Sequence, residues 1–197
     1  ISIRESLLHA AASIGVKAKI KYFSSDVEKL DIDAMSELDG ILIPGGFGER
    51  GFEGKLDAID YAMENDVPLF GICLGMQCAV IEYARNVVGL HDASSIEFSP
   101  ETKNPVISLM PEQEGVTNIG GTLRLGAYPC VLKENSMAKQ LYGVDSITER
   151  HRHRYEVNND YRAILQENGL VFSGISPDGR IAEMIEIPDH PYFIATQ

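Results

Sequence analysis

The chain has 197 residues, 44% hydrophobic and 23% charged, with 29 acidic against 17 basic side chains and a formal net charge of -12. That length supports one substantial core, so a single domain over residues 1–197 is expected, and the acidic balance repels nucleic acid phosphates and anionic lipid, which leaves a small molecule as the expected partner, with no nucleic acid and no membrane. No run approaches the ~18–20 apolar residues of a membrane span, and 3 cysteines, an odd number, fit a soluble protein of a reducing compartment better than a disulfide scaffold.

Ile3, Leu7, Leu8, Ala11 and Ile14 share one helical face, with Gly15 as a cap. Val16, Ala18, Ile20 and Tyr22 alternate with lysines in the manner of a strand, and a polar stretch fills 24–39. The run Ile41-Leu42-Ile43 has the composition of a buried strand and enters the turn Pro44-Gly45-Gly46-Phe47-Gly48. A helix over 52–65, a strand over 67–72 and a helix over 74–85 follow. Alternation of this kind implies the α/β class: a central, mostly parallel sheet with helices on both faces. Beyond Val88 the pattern changes to short strands divided by turn residues, among them 118–121 and the hairpin turn Pro177-Asp178-Gly179. A helix over 161–168 and strands over 170–175, 181–187 and 192–196 complete the reading. The chain looks cut at both ends, since the first helix has no strand before it and the last strand has no cap.

Gly71-Ile72-Cys73-Leu74-Gly75 stands where a buried strand meets a helix. This is the nucleophile-elbow pattern with sulfur in place of oxygen. Such a turn strains its central residue and needs small residues two positions to either side, and both are glycine here. The helix starting after Cys73 aims its free N–H groups at the sulfur, which is expected to favour thiolate near neutral pH. The plainer reading, a buried small hydrophobe, suits Cys78 and Cys130, which lack that setting.

The turn at 44–48 lacks the Gly-Lys-Ser/Thr ending of a phosphate loop. It is either a tight turn or the source of a second backbone N–H which, beside that of Leu74, makes an oxyanion hole; Gly46 is the candidate. In His151-Arg152-His153-Arg154-Tyr155 a spacing of two puts both histidines on one face of a strand. Three readings stand: a zinc pair, a solvated basic strand, or recognition of a ligand carboxylate by arginine, with Arg154 the residue chosen. Glu97, among hydroxyls in Ser94-Ser95-Ile96-Glu97-Phe98, reads on sequence alone as a surface acid.

Together, Pro44-Gly45-Gly46-Phe47-Gly48-Glu49-Arg50-Gly51, Gly71-Ile72-Cys73-Leu74-Gly75-Met76-Gln77, Leu125-Gly126-Ala127-Tyr128-Pro129-Cys130 and His151-Arg152-His153-Arg154-Tyr155-Glu156-Val157-Asn158 resemble the glutaminase domain of the CTP synthases, a branch of the class I glutamine amidotransferases. The resemblance implies a glutaminase whose cysteine, here Cys73, attacks the glutamine side-chain amide, releasing ammonia for the ATP-dependent amination of UTP to CTP. It implies glutamine contacts at Gly46, Leu74, Gly75, Met76, Gln77, Glu97 and Arg154, and a role for the loop 47–55 in sensing GTP.

The resemblance also implies no cofactor and no metal in this domain. ATP and Mg2+ are expected in a synthetase domain of the same polypeptide, which is absent from this chain, with GTP as allosteric activator, a tetrameric homo-oligomer and a cytoplasmic location. The family's general-base histidine and the glutamate that orients it lie in a His-Pro-Glu motif shortly after a sequence like Ala195-Thr196-Gln197. His190-Pro191-Tyr192 comes too early, has tyrosine where the carboxylate is needed, and is assigned no catalysis. His9, His91, His151 and His153 match no triad position, so the sequence as given is expected to be unable to complete turnover. Two other readings remain: a catalytically silent module of the same fold, and a cysteine hydrolase acting on another amide.

Overall fold

A computed structural model describes residues 2–27, 30–110 and 123–197. The turn expected at 118–121 lies outside the described residues. The first helix, α1 (Ser2–Ser13), forms and ends at Gly15 in a left-handed conformation, φ 73°. Of its expected apolar face only Ala11 is buried. The strand expected over 16–22 does not form. Val16 is 57% and Tyr22 77% exposed, and no ladder among the described residues includes this segment. Alternation alone does not make a strand where no neighbouring backbone takes up its hydrogen bonds. The stretch read as merely polar contains a one-turn helix, α2 (Ile32–Met35), capped by the Asp31 side chain.

A seven-stranded sheet follows the order β1-β2-β10-β9-β8-β5-β6, with β1 (Ile41–Ile43), β2 (Leu69–Ile72), β5 (Arg124–Leu132), β6 (Ser146–His153), β8 (Val171–Ile175), β9 (Ala182–Glu186) and β10 (Phe193–Thr196). Within this sheet, among the described residues, β1-β2 and β2-β10 pair in parallel and the other pairings are antiparallel. The α/β class stands, but the sheet is mixed rather than mostly parallel, because the connections after Val88 are mainly turns and hairpins rather than crossover helices. A second, three-stranded sheet joins β3 (Ala93–Ser95), β4 (Asn104–Ser108) and β7 (Glu156–Val157).

Helices α3 (Phe52–Glu64) and α4 (Leu74–Asn86) stand close to where they are expected. Side chains are buried without interruption from Leu74 to Ala84, so α4 has no solvated face along this stretch. It packs on α3, on β2 and β10 of the large sheet, and on β3 and β4 of the small one. Ile59, Leu69, Met76, Ile81, Ile107, Phe172 and Phe193 fill the core around it, and each such side chain contributes roughly 1.5–3 kcal/mol on burial.

The β5-β6 hairpin is longer than the short strands expected there. Gly126 and Pro129 lie within β5, which from Arg124 to Cys130 pairs on one side only, where proline is tolerated. A short helix at its far end, α5 (Met137–Tyr142), is too brief to show a period in sequence. Ser136 caps it, and the Glu186 carboxylate accepts hydrogen bonds from the Met137 and Ala138 N–H groups at 3.0 and 3.2 Å. A 3-10 turn, Asn159–Tyr161, runs into α6 (Arg162–Glu167). The hairpin at Pro177-Asp178-Gly179 forms as expected, with Gly179 at φ 79°.

Candidate active site

The chain turns from β2 into α4 at Cys73, whose backbone takes φ 53°, ψ -107°, a left-handed conformation that costs a non-glycine residue about 1–3 kcal/mol. The flanking glycines permit the turn. A Cβ on Gly75 would meet the Ile43 carbonyl oxygen at 2.3 Å, and one on Gly71 would meet the Ala195 Cβ at 2.9 Å. The Cys73 N–H donates to the Thr196 carbonyl at 2.7 Å, which ties the elbow to the end of β10.

The glycine turn after β1 lies against the elbow. An added Cβ on Gly45 would stand 3.3 Å from Cys73 Cβ and 3.9 Å from its Sγ. The backbone N–H groups of Leu74 and Gly46 both favour the charged form of the sulfur, so donors from the start of α4 and from the glycine turn act on the same atom. The expected thiolate is corrected, however. Burial pushes the Cys73 thiol up from its ordinary value, and the Glu156 and Glu97 carboxylates add to the rise; the Leu74 and Gly46 N–H groups oppose it without winning. Helix-end donors do not outweigh lost hydration when the nearby charges are negative. Cys78 and Cys130 are buried, and burial drives both thiols up to about 12.

Glu97 sits half-buried just past β3, and its Oε1 accepts a hydrogen bond from the Gly48 N–H at 3.0 Å. It therefore braces the glycine turn, which its surroundings in sequence do not reveal. Gly75 and Met76 are buried within α4. Gln77, 3% exposed, donates from Nε2 to the Tyr155 carbonyl at 3.0 Å and to Gln197 Oε1 at 3.2 Å. Its amide thus joins the first turn of α4 to the segment carrying Arg154. Arg154 follows β6 directly, half-buried, with its guanidinium 6.0 Å from the Tyr155 ring.

On β6 both histidines face inward as their spacing requires, while Arg150 and Arg152 point to solvent. The strand is therefore neither wholly solvated nor wholly basic. His153 Nε2 lies 2.6 Å from Glu156 Oε1, and the Arg124 guanidinium joins Glu156 at 3.1 Å and Glu183 at 2.6 and 3.2 Å. His151 rests 3.7 Å from Glu183, and burial holds it down at about 4, helped by Arg124 and His153. Among the described residues no group of three or more His, Cys, Asp or Glu side chains is arranged to hold a metal ion.

Sequence reading assigned no part to Arg124, Glu156 or Glu183. One signal was available: Glu183 and Glu186 lie in an otherwise apolar strand, 181–187, and a carboxylate buried there requires a partner. His190 is committed structurally, with Nε2 3.0 Å from the Ala62 carbonyl and Nδ1 accepting the Tyr192 N–H at 3.2 Å. His9 and His91 are exposed.

The sequence matches the glutamine amidotransferase class-I family over residues 1–197. It is 55% identical over 199 residues to a CTP synthase of Clostridium perfringens, covering 100% of this chain and 37% of that protein. It is 56% identical over 202 residues to the CTP synthase of Methanopyrus kandleri, covering 100% of this chain and 38% of that protein. The chain therefore spans well under half the length of these curated relatives. Among solved structures, the glutaminase domain of Trypanosoma brucei CTPS with bound acivicin superposes with a TM-score of 0.91 at 37% identity, covering 100% of this chain and 78% of that one.

Proposed function

This chain belongs to the class I glutamine amidotransferases, as a glutaminase domain of the CTP synthase type, and from that premise we propose that Cys73 is its nucleophile, hydrolysing glutamine to supply ammonia for the amination of UTP to CTP. The observation that carries the reading is the strained elbow, with Cys73 at φ 53° and the glycine turn packed against its side chain, where the Gly46 and Leu74 N–H groups act on the sulfur. When it attacks the side-chain amide carbon, the carbonyl oxygen becomes an oxyanion beside the sulfur, within their reach. The carbon–nitrogen bond then breaks, ammonia leaves once a proton is delivered to it, and water attacks the thioester to free glutamate and return the thiol.

Leu74 to Gln77 supply the floor of the glutamine site, Glu97 and the loop it braces one wall, and Arg154 pairs with the substrate α-carboxylate. A thiol raised by burial needs a base at the moment of attack. The resemblance puts the family's His-Pro-Glu motif just after the equivalent of Ala195-Thr196-Gln197, and the bond between Cys73 N–H and the Thr196 carbonyl places that end of β10 beside the elbow. We assign ATP and Mg2+ to a synthetase domain of the longer protein, GTP to its activation, and a tetramer and the cytoplasm to its assembly and location. No helix among the described residues is long and apolar enough to cross a membrane.

Treating the full-length protein with a chloroketone analogue of glutamine, followed by intact mass and peptide mapping, tests the assignment. The expected result is one adduct per chain on Cys73, blocked by prior glutamine and matched by loss of glutamate release. Glutamate release that survives while Cys73 is fully modified would overturn it. Equal turnover of glutamine and unrelated amides would favour a general cysteine hydrolase, and no adduct with no release a silent module.

A further inference from the structure

Beneath the proposed site lies a set of charges that the reaction scheme does not use. Glu156 on β7, 1% exposed, is held by Arg124 from the start of β5 and by His153 from the end of β6. Arg124 also grips Glu183 on β9 and covers the Tyr128 ring at 4.4 Å. Four strands thereby meet at one guanidinium. The residues between His153 and Glu156 are Arg154 and Tyr155, so a hydrogen bond of 2.6 Å closes a two-residue loop around the proposed carboxylate-binding arginine. The next link runs from the Tyr155 carbonyl to Gln77, one helical turn past Cys73. Glu156 keeps its other oxygen, Oε2, buried without a hydrogen-bond partner, and an isolated buried acceptor of this kind is costly to keep.

Resting on the glutaminase reading above, we propose that Glu156 is a positioning residue of the glutamine site: held by Arg124 and His153, it fixes the Arg154–Tyr155 segment against the first turn of α4. The segment has little freedom to choose another course, since its two ends are pinned by one side-chain pair and its middle by Gln77. Cys73 feels Glu156 and Glu97; Glu156 itself faces Arg124 and His153, with Glu183 and His151 behind them.

The test uses the full-length protein with Glu156→Gln, which removes the charge but keeps the shape, and Glu156→Asp, which keeps the charge but withdraws it from Arg124 and His153. Two readouts are taken: glutamate release against glutamine concentration, and the pH dependence of Cys73 alkylation by iodoacetamide, followed by peptide mass. Glu156→Gln is expected to move the alkylation midpoint to lower pH and to raise KM for glutamine about tenfold, the scale of one charge-assisted hydrogen bond. Glu156→Asp is expected to restore the midpoint while leaving KM raised. A wild-type KM in either variant overturns the proposal. Where Glu156→Gln does not fold, the KM of Glu156→Asp decides alone. Absence of glutamate release already in the unsubstituted protein counts against the glutaminase reading instead.

Discussion

Along β1, β2 and β10 the buried side chains include Ile43, Leu69, Phe193, Ile194 and Ala195, whereas β6, β7 and β9 bury His151, His153, Glu156, Glu183 and Glu186. All of these strands belong to the large sheet except β7, which lies in the small one. The parallel half builds a rigid elbow from apolar packing and close backbone contact, and the antiparallel half stands beside it carrying charge that must be neutralised internally. It does so with Arg124 for Glu156 and Glu183, and with the N–H groups at the start of α5 for Glu186. Among the described residues the parallel half packs against a buried carboxylate too, Glu82 on α4, whose Oε1 accepts a hydrogen bond from Asn86 Nδ2 at 2.7 Å. Burial raises Glu82 to about 7, and the neighbouring Asp60 adds to the rise.

Replacing Arg124 with methionine should break this comparison most severely. Methionine fills similar space but leaves Glu156 and Glu183 buried without their cation, and a buried pair deprived of one partner costs about 3–5 kcal/mol. Chemical denaturation near neutral pH is expected to show that loss. A change below 1 kcal/mol would mean that the two carboxylates take up protons or water as readily as Glu82 takes its proton.

The two halves also differ in how much their sequence revealed. Ile41-Leu42-Ile43, the elbow glycines and Cys73 were legible because an apolar run and a constrained turn each leave a local mark. The inward direction of His151 and His153 followed from the period of a strand. Arg124, Glu156 and Glu183 were not legible as a set, because they are separated in sequence and meet only through the register of β5, β6 and β9. The protonation of Cys73 was misread for a related reason. The donors that stabilise a thiolate are adjacent in sequence, but the burial and the carboxylates that oppose it arrive from Glu97 and Glu156. The strand expected over 16–22 failed because alternation reports a face and not a neighbour.

Titration offers a second way to sharpen the contrast. Glu82 has its folded-state value raised from 4.5 to about 7, so the stability it contributes is complete below about pH 4.5 and is lost as pH rises through 7. His151 runs the other way: held at about 4 against an ordinary 6.5, it contributes stability above pH 6.5 that is lost as pH falls toward 4. Between these limits the two slopes oppose each other. Glu82→Gln removes one of them while keeping an oxygen that can accept from Asn86 Nδ2, as Glu82 Oε1 does at 2.7 Å. Its stability relative to the parent should be near zero at pH 4.5 and rise to about 3 kcal/mol in its favour by pH 7, from the shift at roughly 1.4 kcal/mol per unit. Thermal unfolding across that range measures the difference, and a difference that does not change with pH would show that Glu82 is not held protonated.

The smallest expected loss probes the apolar half. Gly75→Ala adds one methyl group where the Ile43 carbonyl oxygen would stand 2.3 Å away. Overpacking of this kind costs about 1–3 kcal/mol, and here it must be relieved by moving β1, which carries the glycine turn at its end, or α4, which carries the elbow. Either movement separates the Gly46 N–H from the Cys73 sulfur. The variant is therefore expected to lose more in kcat for glutamine than its modest loss of stability suggests, and to react more slowly with the chloroketone at Cys73. Unchanged kcat with the same loss of stability would mean that the glycine turn and the elbow move as one body, so that the contact between β1 and α4 serves the fold alone.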